Sequence, residues 1–346
     1  MDLSIASVLL VDGITSGAIY ALLGLAIVLV FAVTRVIFIP QGEFVAYGAL
    51  TLAILQTGAV PGTVWLLLLM GAVAAAMDGA GAWRRHRRVM AAARAAGGTL
   101  LVPVLLSLVT VWAAPHRFPM LVQMLLSLAL VTAFGPLVYR VAFQSLADAS
   151  TLVLLIVSVG VHFAMTGLAL VFFGAEGFRN PSFWDLRMQL GAVTLTGQAI
   201  IIITVSVALI VLLWLFFERT LYGKALRATA VNRLGARLMG VSAHAAGRWS
   251  FAMAALIGAL SGLLIGPTTT VFYDSGFLIG LKGFVAAVIG GLASYPATAI
   301  GALFVGIVES FSSFWASAFK EVIVFTLILP ILFWLSLTDK HAAEEH

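Results

Sequence analysis

Apolar runs long enough to enter a bilayer recur along almost the whole chain. They lie at about 9–34, 38–56, 64–82, 99–114, 122–139, 151–173, 192–217, 249–270, 277–293, 297–315 and 320–337. Backbone N–H and C=O groups find no water inside a membrane, so runs of this kind must be helices that satisfy their own hydrogen bonds. That requirement fixes the fold class as all-α: a polytopic helical bundle in one domain, 1–346. Several runs fall short of the roughly 20 residues that a full span needs, so about 8–11 membrane segments are expected, some of them half-helices. A soluble core does not explain the pattern. Hydrophobic residues make up 62% of the chain and charged residues 10%, whereas ordinary soluble domains are roughly 45–50% apolar.

The longest polar interval is 218–248, ERTLYGKALRATAVNRLGARLMGVSAHAAGR. It carries Arg219, Lys224, Arg227, Arg233, Arg237 and Arg248 against one acid, Glu218. Lys and Arg resist translocation, so this interval belongs on the cytoplasmic side. Alternation from that anchor also puts Arg35, Arg140, Lys340 and the arginines of WRRHRRVMAAARAAGG (83–98) inside. Outside it leaves only Arg117, Arg179, Arg187 and Lys320. The N-terminus, MDLSIASVLLVDG, has no basic n-region, so the first run reads as a retained span with its N-terminus outside and the C-terminus cytoplasmic. The basic charge is therefore a topology signal that touches lipid head groups, not a nucleic-acid footprint.

Inside the basic interval Asn232 has the character of a helix N-cap and Gly240 that of a C′ residue. They bracket one short helix at about 233–239, with Leu234 and Leu238 on one face. A short capped helix on a cytoplasmic loop is a docking element. The external stretch 174–191 holds Phe178, Phe183 and Trp184, which read as an interfacial aromatic belt.

The chemistry-bearing residues are sparse. The chain has no Cys, no GxxxxGK[ST], no HExxH and no GxSxG, so it should neither hydrolyse ATP nor carry a metal or nucleophile site of those kinds. Ionisable groups within apolar runs are Glu43, with Gln41 beside it, Lys282 and Glu309. Such groups cost at least ~2.5–3.5 kcal/mol each to insert and usually face the bundle interior or water. Glu43 follows Pro40 and suits the first turn of a helix. Lys282 either snorkels or pairs with Glu309. His162 and His244 read as packed or solvated histidines. Small residues recur at four-residue spacing in Gly13/Gly17 and Gly258/Gly262/Gly266, where helix backbones can approach closely.

Four stretches resemble the membrane-spanning permease subunits of branched-chain amino acid ABC importers, the LivH type. They are DGITSGAIYALLGLAIVLVFAVTRVIFIPQGEFVAYGA (12–49), LVYRVAFQSLADASTLVLLIVSVGVHFAMTGLALVFFG (137–174), YGKALRATAVNRLGARLMGVS (222–242) and GFLIGLKGFVAAVIGGLASYPATAIGALFVGIVES (276–310). The resemblance implies an ABC importer permease fold in a bacterial inner membrane. It implies two ATPase subunits that bind ATP and Mg, a second homologous permease or a copy of this chain, and a soluble substrate-binding protein. No cofactor would be bound by this chain. The ATPase would meet Arg227, Asn232, Arg233, Leu234, Ala236, Arg237, Leu238 and Gly240, the leucines seated in its groove and the arginines on the rim. Gln41, Glu43, Lys282 and Glu309 would serve the pathway or its gating, and Gly258, Gly262, Gly266, Gly290 and Gly291 would let its helices slide. The cargo would be an aliphatic amino acid or a related small amide. The family's Asn-Phe-Ala-His-Gly-Glu-like run is here Phe38-Ile39-Pro40-Gln41-Gly42-Glu43, and 57–121 looks like an insertion. A rival reading is an ion-coupled secondary transporter that uses Glu43, Lys282 and Glu309 as its relay. A second is a membrane assembly protein that uses the glycines only for packing.

Overall fold

Eight helices of the computed structural model, which describes residues 3–190, 193–331 and 333, are long and apolar enough to cross a membrane. The chain opens with α1 (Leu3–Thr34), α2 (Gln41–Thr57), α3 (Gly62–His86), α4 (Val89–Ala113), α5 (Met120–Val138) and α6 (Thr151–Phe173). A two-stranded hairpin follows, β1 (Arg187–Leu190) antiparallel to β2 (Val193–Thr196), with Arg187 opposite Thr196. Then come α7 (Gly197–Arg219), α8 (Leu221–Val231), α9 (Arg233–Leu238), α10 (Ala243–Ile265), α11 (Ser275–Ile289), α12 (Tyr295–Trp315) and α13 (Lys320–Thr326). Helices α2 and α11 are short for membrane segments, at 17 and 15 residues. At 1.5 Å per residue they cover about 26 and 23 Å, less than the ~30 Å hydrocarbon core.

Burial separates a centre from a rim. In α1, 89% of the most apolar window is buried, against 17% in α4 and in α7. A bilayer accepts apolar side chains as readily as a protein core does, so the rim helices can leave theirs facing outward. The central helices need another reason to associate, and close backbone approach supplies it. Gly13 and Gly17 of α1 lie on the backbone of α12 at Ile307 and Leu303. Gly42 of α2 meets the backbone of Gly276 and Gly280 on α11, and Gly262 of α10 meets the carbonyl of Val45. Gly258 sits against Phe44 and Gln41, Gly266 under Asn180, and Gly290 against Thr298.

Several expectations are corrected. Gly291 packs no helix: nothing approaches it, and its φ of 65° makes it a left-handed turn residue after α11. The polar interval 218–248 holds two short helices, α8 and α9, and α10 already begins at Ala243, capped by the Ser242 hydroxyl. The run at 192–217 becomes a helix only from Gly197. The aromatics of 174–191 form no belt: Phe178 bridges to Val271 and, like Phe183, packs on the core, which leaves Trp184 half exposed. The last run, 320–337, is described as α13 and the residues up to 331; the rest, with Lys340, lies outside the described residues.

Residues 57–121 fold as the antiparallel pair α3 and α4 with its flanking turns. The pair is fastened to the bundle by Asp78, which takes Arg140 Nε at 2.6 Å on one oxygen and the Thr99 hydroxyl at 2.6 Å on the other. Its five arginines stand exposed at and near the α3–α4 turn.

Candidate functional site

The residues singled out above fall into three places. The first is a cavity of about 760 Å³ between the N-terminal half of α1, the α10–α11 connection and the α12–α13 turn. Its rim carries Asp12, Thr196, Thr268, Thr269 and Lys320, and its floor Tyr20, Lys282, Glu309 and Glu321. Asp12 stands eight residues above Tyr20 on α1, a depth of about 12 Å. Lys282 and Glu309 do pair, with Nζ 2.5 Å from Oε1. The other Glu309 oxygen accepts the Tyr20 hydroxyl at 2.6 Å, so both oxygens are occupied. The ammonium also reaches Glu321 Oε1 at 3.2 Å and lies 5.7 Å from the centroid of the Tyr20 ring. A buried ion pair of this kind holds only because each charge keeps hydrogen-bonding partners. Lys282 is 5% exposed, and its placement is set by α11, which turns that face inward along with Ile279 and Gly283.

The second place is sealed. Glu43 lies in the first turn of α2, fully buried, and its Oε1 is 2.9 Å from His162 Nδ1 on α6. The ring of Phe277 lies against that imidazole at 4.7 Å. Gln41, two residues earlier, turns the other way and donates from Nε2 to the carbonyl of Ala254 on α10 at 2.9 Å. Neither residue lines the large cavity. The Pro40 start and first-turn acid are as the sequence predicts; the His162 partner was not foreseen.

The third place is the face carrying α8 and α9. The Asn232 side chain accepts from the Gly235 amide at 2.9 Å and caps α9, and Gly240 ends it with a φ of 86°. Leu234 and Leu238 point outward at 70% and 80% exposure, while Ala236 is buried. Arg233 does not join the leucines. Its guanidinium turns inward and donates to the carbonyls of Val33, at 2.8 Å, and Ala147. Burial, followed by the nearby Arg35, lowers its pKa from the usual arginine value. Arg227 pairs with Glu218 at 2.7 Å and Arg237 with Asp148 at 3.7 Å, both near the surface.

Sequence reasoning missed Tyr20, Glu321 and His162. A usable signal existed for the last: a lone His and a lone Glu, each within an apolar run, are natural partners, since neither is easily buried alone. Glu321 follows Lys320 and reads as half of an ordinary interfacial pair.

Among known proteins, the family model described as "Branched-chain amino acid transport system / permease component" matches residues 86–332. The chain is 29% identical over 214 residues to the high-affinity branched-chain amino acid transport system permease protein LivH of Escherichia coli K12, covering 60% of this chain and 69% of that one. It is 25% identical over 330 residues to the corresponding permease protein BraD of Pseudomonas aeruginosa, covering 93% and 92%. Of solved structures, PsaBC from Streptococcus pneumoniae in complex with Fab aligns with a TM-score of 0.40 at 12% identity, over 92% of this chain and 89% of that one.

Proposed function

The chain belongs to the family of branched-chain amino acid transport permease components, and from that premise we propose that it carries an aliphatic amino acid, or a related small amide, across a bacterial inner membrane. It is a permease subunit of an ABC transporter and not an enzyme. ATP and Mg are bound and used by two ATPase subunits that dock on α9. A second homologous permease, or a copy of this chain, completes the membrane part, and a soluble binding protein delivers the cargo. The N-terminus lies outside, so the large cavity opens outward and α8–α9 lie in the cytoplasm. Lys282 and Glu309 line the pathway. Gln41 and Glu43 fix α2 to its neighbours and so serve gating. The α3–α4 pair is an addition to the common bundle.

The observation that carries this reading is the outward pair Leu234 and Leu238 on a helix whose opposite face is buried. Exposed leucines on a basic, capped, water-facing helix are the apolar centre of an interface. Arg227 and Arg237 lie close enough to its edge to contribute, whereas Arg233 anchors α9 from behind. The test is Leu234→Asp with Leu238→Asp. The double variant is expected to insert and fold as the parent does and to lose both ATPase co-purification and uptake in proteoliposomes. Normal recovery of the ATPase with that variant would sink the docking assignment.

A further inference from the structure

The floor of the cavity is not symmetrical in its charges, and the asymmetry names a ligand. Lys282, one cation, faces two carboxylates, Glu309 and Glu321. Glu309 is the more firmly held, since Lys282 and Tyr20 meet its two oxygens at 2.5 and 2.6 Å. Glu321 is held through Oε1 by one contact of 3.2 Å, and its side chain is 31% exposed; its buried Oε2 has no partner among the described residues. It also sits on α13, a helix of only seven residues. An ammonium has three N–H donors, and Lys282 spends one on each carboxylate. The floor therefore offers one loosely held acceptor and one spare donor, side by side. At the rim Asp12 and Lys320 bring one charge of each sign.

We infer that Glu321 receives the α-ammonium, and Lys282 the α-carboxylate, of a free zwitterionic amino acid. This rests on the proposed transport of an amino acid and specifies the residues that recognise it. The ligand exchanges ion pairs with the floor: Glu321 passes from the Lys282 ammonium to the ligand's ammonium, and the freed Lys282 N–H donates to the ligand's carboxylate. A zwitterion adds no net charge, so the low-dielectric floor is left with the charge it had, which spares the cost of an uncompensated buried ion. Its aliphatic side chain lies along Ile19, Leu278 and Ile279, which border the same space. The cavity volume of about 760 Å³ is within the range of about 300–1,000 Å³ usual for small-molecule sites. A carboxylic acid without the amine leaves Glu321 unmatched, and an amine without the carboxylate leaves the Lys282 donor unmatched.

The experiment uses the assembled transporter with its ATPase and binding protein in proteoliposomes, with leucine as the probe. Leucine uptake and ATP hydrolysis are measured together for the parent, Glu321→Gln, Glu321→Asp and the exposed control Glu176→Gln. Glu321→Gln is expected to raise the ATP hydrolysed per leucine moved at least tenfold, Glu321→Asp to recover part of the loss, and Glu176→Gln to match the parent. Thermal unfolding of each variant separates a lost contact from a lost fold. A ratio for Glu321→Gln within twofold of the parent overturns the assignment alone. A parent transporter that takes up no zwitterionic amino acid overturns the transport reading and the assignment with it.

Discussion

Glu43 and Glu309 are both carboxylates deep in the bundle, and they are held in opposite ways. Glu309 has an ammonium on one oxygen and a phenol on the other, and its surroundings open into the cavity. Glu43 has a single imidazole partner, its second oxygen has none among the described residues, and glycine contacts close the space around it. A carboxylate with a full set of partners can afford a neighbouring void, because water or ligand there competes with strong charge-assisted bonds. Glu43 instead keeps an unpaired oxygen in a closed space, a cost that the packing around it must offset. The same residue type thus marks a place built to exchange partners and a place built to stay shut.

The comparison can be broken at three strengths. The largest effect is expected from Lys282→Met, which strands two carboxylates and should cost about 3–5 kcal/mol. Adding Glu309→Gln and Glu321→Gln to that variant should return at least half of the loss in thermal unfolding. An additive result would mean the three do not form one network. Next comes Gly42→Ala, whose new Cβ would meet the Gly276 carbonyl and force helices α2 and α11 apart, at a cost of about 1–3 kcal/mol. Its counterpart at the cavity wall, Ser16→Ala, should change stability by less than about 0.5 kcal/mol; equal losses would show that the cavity is as tightly packed as the sealed site. At the sealed site itself a small effect is expected from Glu43→Gln, below about 1 kcal/mol, because one hydrogen bond is exchanged for a neutral one as a buried charge is removed. A loss that matches Lys282→Met would erase the distinction between the two sites.

Much of the bundle was legible because the length of an apolar run reports the thickness of the membrane it must cross. The runs at 151–173 and 297–315 correspond closely to α6 and α12. Helix α8 is hard to read because it lies inside a polar interval, although Gly223, Leu226 and Thr229 recur every three residues on its buried face and Thr220, whose hydroxyl accepts from the Gly223 amide at 3.0 Å, is a readable cap. The inward turn of Arg233 was also within reach. It stands three residues before Ala236, so the two share a helix face. The Glu43–His162 pair was not legible as a contact: 119 residues separate the partners, and no local pattern carries that distance. The Lys282–Glu309 pair was open on the sequence for the same reason, with only charge sign to suggest it.

One contact ties the two working faces together. Arg233 of α9 grips the carbonyl of Val33 at one end of α1, while Asp12, Ser16 and Tyr20 toward the other end border the cavity. Helix α1 is 32 residues long and carries no proline, so it has no built-in hinge of that kind. At 1.5 Å per residue, Leu9 stands about 36 Å above Val33. A rod of that length turns angle into travel: each 5° of tilt about the Arg233 grip sweeps the cavity rim through about 3 Å, by the same rise per residue. The floor at Tyr20, about halfway up, moves about half as far. The mouth of the cavity therefore responds to the α9 end of the rod more than its floor does, so a small rotation can widen or close the entrance while the ion pairs below keep their register.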